Sequence, residues 1–427
     1  MSKKLCVVGL GYIGLPTAVM FANHGLKVHG VDINEKAVQL INNKQLHIEE
    51  NGLQDRLVSA IESGHFTAST EPVEADVFII AVPSPIKADK TANLDYVREA
   101  TESIVPFLKE GNLVILESTV PPRTVEDVMM PVLKTSPLEI GTQLLVSHSP
   151  ERVIPGRVFE ELVENDRIVG GINEKSSQLT VDLYKTFVKG NIHVTDATTA
   201  EMVKVIENTY RDVNIAFANE LAKVSEKIGV NAWEAIKLAN YHPRVNIHLP
   251  GPGVGGHCIA VDPWFLVELQ PELAKIISLS RQTNDSMPEY TALKAKQIME
   301  EKGINNGRVA VLGLAFKGNI DDMRESPSVE VVEHLEKLGV DYTAYDPHIK
   351  QNNLAKQTQS LEEAVNHADL IVILTDHNEF KTLDPKVVEG SMRTKMIFDT
   401  KNCIDRTLWE DNQFDVFLLG DSKHSEV

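Results

Sequence analysis

Apolar positions in this chain follow two patterns. Short continuous runs such as Leu5-Cys6-Val7-Val8 mark strands buried on both faces, as in a parallel sheet. Between them, apolar residues recur at helical spacing. The first run enters the turn Gly9-Leu10-Gly11-Tyr12-Ile13-Gly14; a helix is predicted from Leu15 to His24, closed by Gly25. A second strand, Lys27–Val31, ends at Asp32, and more are predicted at 75–82, 113–116 and 144–146. Strands alternating with helices of this length build βαβ units.

The C-terminal part repeats this order. Residues 308–314 form a strand entering a glycine turn at Gly313. Ser326-Pro327 suits a helix start, Gly339 its end, and 341–346 is a strand ending in an acid, as at Asp32. The run 367–374 echoes 74–82, and 396–400 echoes 116–119. Between the halves, Thr198-Thr199-Ala200-Glu201 has capping-box spacing. Apolar residues at Met202, Val205, Ile206, Tyr210, Val213, Phe217 and Leu221 predict the buried face of a helix reaching about Gly229. The predicted fold class is α/β: two Rossmann-like doubly wound domains (1–197 and 301–427) joined by a long central helix and helical region (198–300). A helix so placed also suits a homodimer contact. The polar end, Asp421–Val427, reads as a frayed tail.

Composition narrows the classes of function. A net charge of −19 opposes nucleic-acid and anionic-membrane binding. A small anionic ligand needs only a local cluster of Lys and Arg, so it stays open. No apolar run reaches bilayer-spanning length, and Met1-Ser2-Lys3-Lys4 leads straight into a strand, so a cytoplasmic protein is expected. Three scattered cysteines provide neither a disulfide framework nor a zinc site, and no metal is expected. Cys6 and Cys403 adjoin apolar strands and read as small buried hydrophobes.

Gly9-x-Gly11-x-x-Gly14 meets three needs of a bound dinucleotide: a tight turn, close approach of the pyrophosphate, and close helix–strand packing. The helix beginning there offers N–H groups to phosphate. Asp32, ending the next strand, suits the adenosine ribose hydroxyls and repels a 2′-phosphate, which favours NAD over NADP. A glycine turn serving packing alone is the competing reading. Cys258 closes the glycine-dense loop Pro250-Gly251-Pro252-Gly253-Val254-Gly255-Gly256-His257, which a merely structural thiol does not need. A thiolate there can hold an aldehyde or acyl group covalently. Asp262 lies four residues on, and Lys204 and Asn208 share one helix face; a solvated polar stripe is the plainer reading of that pair.

Together these segments resemble the UDP-glucose/GDP-mannose dehydrogenase superfamily along nearly the whole chain. The resemblance rests on Gly9–Gly14 with Asp32, Glu117-Ser118-Thr119-Val120, Ser149-Pro150-Glu151-Arg152, Glu201–Glu220, Gly253–Asp262, and Phe316-Lys317 with Asp322–Ser326. It implies oxidation of a sugar C6 alcohol to a carboxylate with two NAD. In that light Cys258 is the nucleophile, Lys204 and Asn208 steady the oxyanion, and Asp262 manages protons with Lys204. Glu151 assists thioester hydrolysis and Thr119 positions water. The cofactor would also meet Tyr12, Ile13, Val82, Pro83, Ser118 and Arg324. The UDP-sugar would meet Glu151, Arg152, Val153, Lys204, Asn208, Gly255, Phe316 and Lys317, with Arg244 reaching it from a partner subunit. Pro155 stands where the UDP-glucose enzymes typically carry a second glutamate, which is similar to the branch acting on N-acetylated sugars. The implied substrate is a UDP-N-acetylhexosamine, the mannosamine epimer ahead of glucosamine and UDP-glucose less favoured, with a product used for bacterial surface polysaccharide. A two-electron β-hydroxyacid dehydrogenase would need no nucleophile. A non-catalytic NAD-binding scaffold would need none of the matched side chains.

Overall fold

The computed structural model describes residues 3–154, 156–351 and 353–422, which form two compact units. The first runs to Glu207 and includes Trp264–Gln270; the second holds Asn208–Pro263 and everything described from Pro271 onward.

The first unit is built on eight strands: β1 (Lys4–Val8), β2 (Lys27–Val31), β3 (Phe66–Ser69), β4 (Val77–Ile80), β5 (Leu113–Leu116), β6 (Leu145–His148), β7 (Arg167–Gly171) and β8 (Ile192–Asp196). Their order is β3-β2-β1-β4-β5-β6-β7-β8, parallel except where β6 meets β7. The chain reverses direction across the sheet between β1 and β4, the switch point where such sheets bind ligands. The second unit has β9 (Arg308–Leu312), β10 (Asp341–Tyr345), β11 (Gln357–Thr358), β12 (Leu370–Ile373), β13 (Met396–Asp399) and β14 (Asp415–Leu418), in the order β11-β10-β9-β12-β13-β14. Each sheet has apolar clusters on both faces, around Leu5, Val7 and Ile79 or Cys6, Phe78 and Ile80 in the first. Strands β3, β7, β8, β11 and β14 escaped the sequence reading.

The internal echo holds down to single hydrogen bonds. Gly9 N donates to Val31 O and Gly313 N to Tyr345 O, both at 2.8 Å. Asp32 Oδ2 accepts from Leu10 N at 2.9 Å, and Asp346 Oδ2 from Leu314 N at 2.7 Å. In each half the acid closing the second strand braces the glycine turn after the first. Ser326 caps the helix Pro327–Lys337, as its sequence predicts.

The helix Ala197–Ile228 differs from expectation in two ways. Its cap is Asp196, which accepts from Thr199 N at 2.8 Å; the Thr198–Glu201 capping box does not form. Asp196 precedes the helix and takes the cap, which leaves Glu201 one turn inside and directed elsewhere. The buried side also carries a polar line. Val205 is fully buried, and Ala216, Ala218 and Ala222 are buried as well, but most of the other apolar positions named above are not. Glu201, Asn208, Asp212, Asn219 and Glu226 are buried, whereas Ile206, Tyr210 and Phe217 are about half exposed. The polar residues recur at steps of 7 and 4, which return to one line along a helix within about 20°. The tail starts later than expected: Asp421 is buried and accepts from Arg406 at 2.7 Å. Residues 423–427 lie outside the described residues.

Candidate active site

In the first unit the glycine turn leaves room where a ligand needs it. A Cβ on Gly14 would lie 1.8 Å from Gly9 O, and one on Gly9 would lie 2.4 Å from Ala81 O. These two glycines are required by packing. A Cβ on Gly11 would meet nothing within 4 Å, so the backbone there faces open space that a pyrophosphate can approach. Asp32 is half-buried, and its Oδ1 accepts from Asn34 N at 2.8 Å. Each of its oxygens keeps a lone pair for a ribose hydroxyl. Asp346 has less to offer: its Oδ2 also takes Ala315 N at 2.9 Å and His377 Nε2 at 3.0 Å. The residues of the first turn therefore fit NAD, and the second turn is closed by its own side chains.

Beside the glycine turn, Ser118 Oγ donates to Val82 O at 2.7 Å and accepts from Val82 N at 2.9 Å. This locks the loops after β4 and β5 together. Ser84 Oγ donates to Thr119 O. Pro83 is exposed; Ile13, Val82 and Thr119 are half-buried. Tyr12 is exposed on the turn.

Glu151 belongs to a buried network that sequence reading missed. Arg167 donates to Glu117 at 2.7 Å, Glu151 at 2.8 Å and Ser149 at 2.9 Å, with its guanidinium 3.7 Å over the Tyr184 ring. Tyr184 donates to Glu117 as well. Burial pushes the Glu117 carboxyl upward, opposed by Arg167. The signal was present: Glu117 ends one apolar strand and Glu151 follows the adjacent one, so two buried acids required a cation. Arg152 pairs with Glu207 at 2.5 Å, next to Asn208 on the central helix, and its N–H donates to Glu151 at 2.7 Å. Val153 is half-buried, and Pro155 lies outside the described residues.

The second unit carries the cysteine loop. Gly251 N donates to Asn219 Oδ1 at 2.9 Å, which anchors the loop to the central helix. A Cβ on Gly255 would lie 2.4 Å from Glu325 O and 3.0 Å from Phe316 Cβ, so the glycines press the loop against that segment. Cys258 is exposed, and its carbonyl accepts from Val261 N at 3.0 Å and Asp262 N at 2.9 Å. The helix Asp262–Leu269 begins directly afterwards. Asp262, 3% exposed, accepts from Asn208 Nδ2 at 2.6 Å. Lys204, one helical turn before Asn208, is half-buried. Under the helix, Asp212 pairs with Arg281 at 2.5 Å, and Asn284 bridges Asp212 and Asn219 at 2.8 and 2.9 Å.

Phe316 is half-buried and Lys317 and Arg244 are exposed. Arg324 forks onto Asp322 at 2.7 and 2.9 Å. His348, His377 and Glu379 lie close enough to hold a cation, yet both His377 nitrogens are engaged, Nδ1 by Asn319 N at 2.9 Å.

A parallel sheet with a glycine turn that fits NAD and an acid closing its second strand defines a nicotinamide-dependent dehydrogenase. The chain belongs to the UDP-glucose/GDP-mannose dehydrogenase family. It matches that family's NAD binding domain over residues 3–188, its central domain over 198–286 and its UDP binding domain over 310–406. It is 49% identical to the UDP-N-acetyl-D-mannosamine dehydrogenase of Methanocaldococcus jannaschii, covering 100% of this chain and 98% of that one. The solved UDP-D-ManNAc dehydrogenase of Pyrococcus horikoshii superposes with a TM-score of 0.92 at 42% identity, covering 98% and 99%. An NDP-N-acetyl-D-galactosaminuronic acid dehydrogenase of Ralstonia nicotianae is 46% identical over 93% of this chain and 96% of its own. Among the described residues, no helix is long and apolar enough to cross a membrane.

Proposed function

We propose that the chain oxidises C6 of UDP-N-acetyl-D-mannosamine to the carboxylate, consuming two NAD and one water per sugar and releasing two NADH and three protons. The observation carrying this reading is Cys258, an exposed thiol at the end of a glycine-braced loop whose next helix opens with the buried Asp262–Asn208 pair. NAD, when bound, would supply the hydride acceptor for both oxidations. Gly9, Gly11, Gly14, Asp32, Val82, Pro83, Ser118, Thr119 and Arg324 would hold it. Cys258 keeps the C6 aldehyde attached as a thiohemiacetal and then the acyl group as a thioester, which water cleaves with help from Glu151. Lys204 and Asn208 stabilise the oxyanion, where fixed donors act most strongly. Asp262 exchanges protons with Lys204.

The division of labour we propose is cofactor binding in 1–197, chemistry and dimerisation in 198–300, and UDP binding through Phe316 and Lys317 in 301–427. Arg244 would reach the sugar from a partner subunit. The reaction belongs in the cytoplasm, and its product suits surface polysaccharide synthesis. A second reading is UDP-N-acetylgalactosamine, which differs from the mannosamine at both C2 and C4 and is favoured by the Ralstonia relative's name.

Parallel rates with UDP-N-acetylmannosamine, UDP-N-acetylglucosamine and UDP-N-acetylgalactosamine decide among the epimers. Two NADH per sugar are expected, fastest with the mannosamine. One NADH per sugar, or full turnover to the acid by Cys258→Ala, would sink the covalent mechanism.

A further inference from the structure

We propose that Glu201 is a positioning residue for this reaction: from the helical turn just before Lys204 it clamps the loop after β5 that carries Ser118 and Thr119. The proposal rests on the reading above, in which that loop serves the cofactor. Glu201 is fully buried, and its two oxygens face the loop. Oε2 accepts from Arg123 N at 2.5 Å and Oε1 from Val125 N at 2.8 Å.

The backbone held in this way is unusual. Arg123 has φ 78°, a left-handed conformation that costs a non-glycine residue about 1 kcal/mol. A π-helical turn, Val125–Met129, follows directly. Such turns are rare and concentrate at functional sites. The N–H groups opening a helical turn lack partners inside it, and Glu201 supplies two acceptors. Burial pushes the Glu201 carboxyl up to about 8, against those two donors, with Glu126 and Asp127 pushing the same way. Its own helix does not need it, since Asp196 already caps that end.

Thr119 therefore lies between two anchors. On one side are the Ser118–Val82 pair and Ser84. On the other, Glu201 fixes positions 123 and 125. Releasing the second anchor lets the loop relax from its left-handed turn, and a displacement of about 1 Å near reacting groups can cost roughly 100-fold in rate.

Glu201→Gln keeps the shape but turns an N–H donor toward a backbone N–H. In the full-length protein, with NAD and UDP-N-acetylmannosamine, kcat should fall at least about tenfold and KM for NAD rise at least about threefold. KM for the sugar should stay within about twofold, and amide exchange over residues 119–125 should accelerate. A purely structural role would lower the active fraction and leave KM for NAD alone. An unchanged KM for NAD, or unchanged exchange in this loop, overturns the proposal. If the wild type makes no NADH from any UDP-sugar, the reading above fails instead, and the exchange comparison still tests the clamp. Should the glutamine variant not fold, Glu201→Asp withdraws the carboxylate by one methylene and is scored the same way.

Discussion

Asn208 donates to Asp262 at 2.6 Å, and both side chains are buried. The bond ties the central helix to the helix that begins just after the Cys258 turn. Asn208→Ala leaves a buried carboxylate oxygen without this donor, which costs about 1–3 kcal/mol. Asp262→Asn keeps the shape and removes the acid; kcat should drop about 10²- to 10⁴-fold with a smaller loss of stability. Thermal melts and NADH release separate the two effects. An Asn208→Ala protein equal to wild type in both would make the bond incidental.

Arg167 pairs with both Glu117 and Glu151 in their buried cluster. Removing it leaves two buried acids uncompensated, for which a loss of about 3–5 kcal/mol is expected. Denaturant unfolding of Arg167→Met should show this. Arg167→Lys should recover only part, since one ammonium cannot reproduce a guanidinium fork that also reaches Ser149. A methionine variant as stable as wild type would mean the acids take up protons at little cost.

The glycines of the first turn separate packing from binding. Gly14→Ala places a Cβ 1.8 Å from Gly9 O, so the fold itself must give way, and a loss of several kcal/mol is expected. Gly11→Ala meets nothing within 4 Å. Its melting temperature should match wild type while calorimetric NAD affinity falls about tenfold or more. Unchanged NAD affinity in Gly11→Ala would remove the pyrophosphate from this turn.

Much of this was legible in the chain. Both strand–turn–helix units, their closing acids and the serine cap at Ser326 follow from sequence patterns, and the bonds that realise them stay within one such unit. What escaped depends on partners distant in sequence. Strand β7 opens with Arg167, a charge that looks like a strand's end until Glu117 and Glu151 are seen around it. On the central helix, Glu201, Asn208, Asp212, Asn219 and Glu226 keep as regular a spacing as the apolar residues do. Periodicity alone does not say which stripe is buried. Each of these polar groups meets a partner from another segment, such as Arg281 for Asp212 and Gly420 N for Glu226, and those pairings carry polar groups into the buried side of the helix.

Two buried groups set opposite slopes of stability against pH. Burial pulls His148 from its usual value near 6.5 down to about 3, so the stability it contributes is present above pH 6.5 and lost as pH falls toward 3. Glu201, pushed up to about 8, contributes stability below the usual carboxylate range that is lost as pH rises through 8. His148→Leu should therefore flatten the acid limb of the stability profile, and Glu201→Gln the alkaline limb. Each change should amount to a few kcal/mol at most across its limb. Melting temperatures from pH 4 to pH 9 test both, and a His148→Leu protein with an unaltered acid limb would clear His148 of the role.

The exposed line on the central helix carries the last prediction. Ile206, Tyr210, Phe217, Val224 and Ile228 are each between 47% and 68% exposed, and their spacing of 4, 7, 7 and 4 aligns them along one face. A stripe of that length with two aromatic rings is more apolar surface than a lone soluble chain ordinarily leaves in water. Heptad-like spacing suits a second helix of the same kind, and in a two-fold arrangement a residue near the axis meets its own copy. Phe217→Glu then sets like charges against each other inside an apolar contact. Sedimentation should find the wild type dimeric at micromolar concentration, with a melting temperature that rises with concentration. The variant should be monomeric at the same concentration, with its dissociation constant raised at least about 100-fold. A wild type that sediments as a monomer at 100-fold higher concentration would leave this face to some other partner.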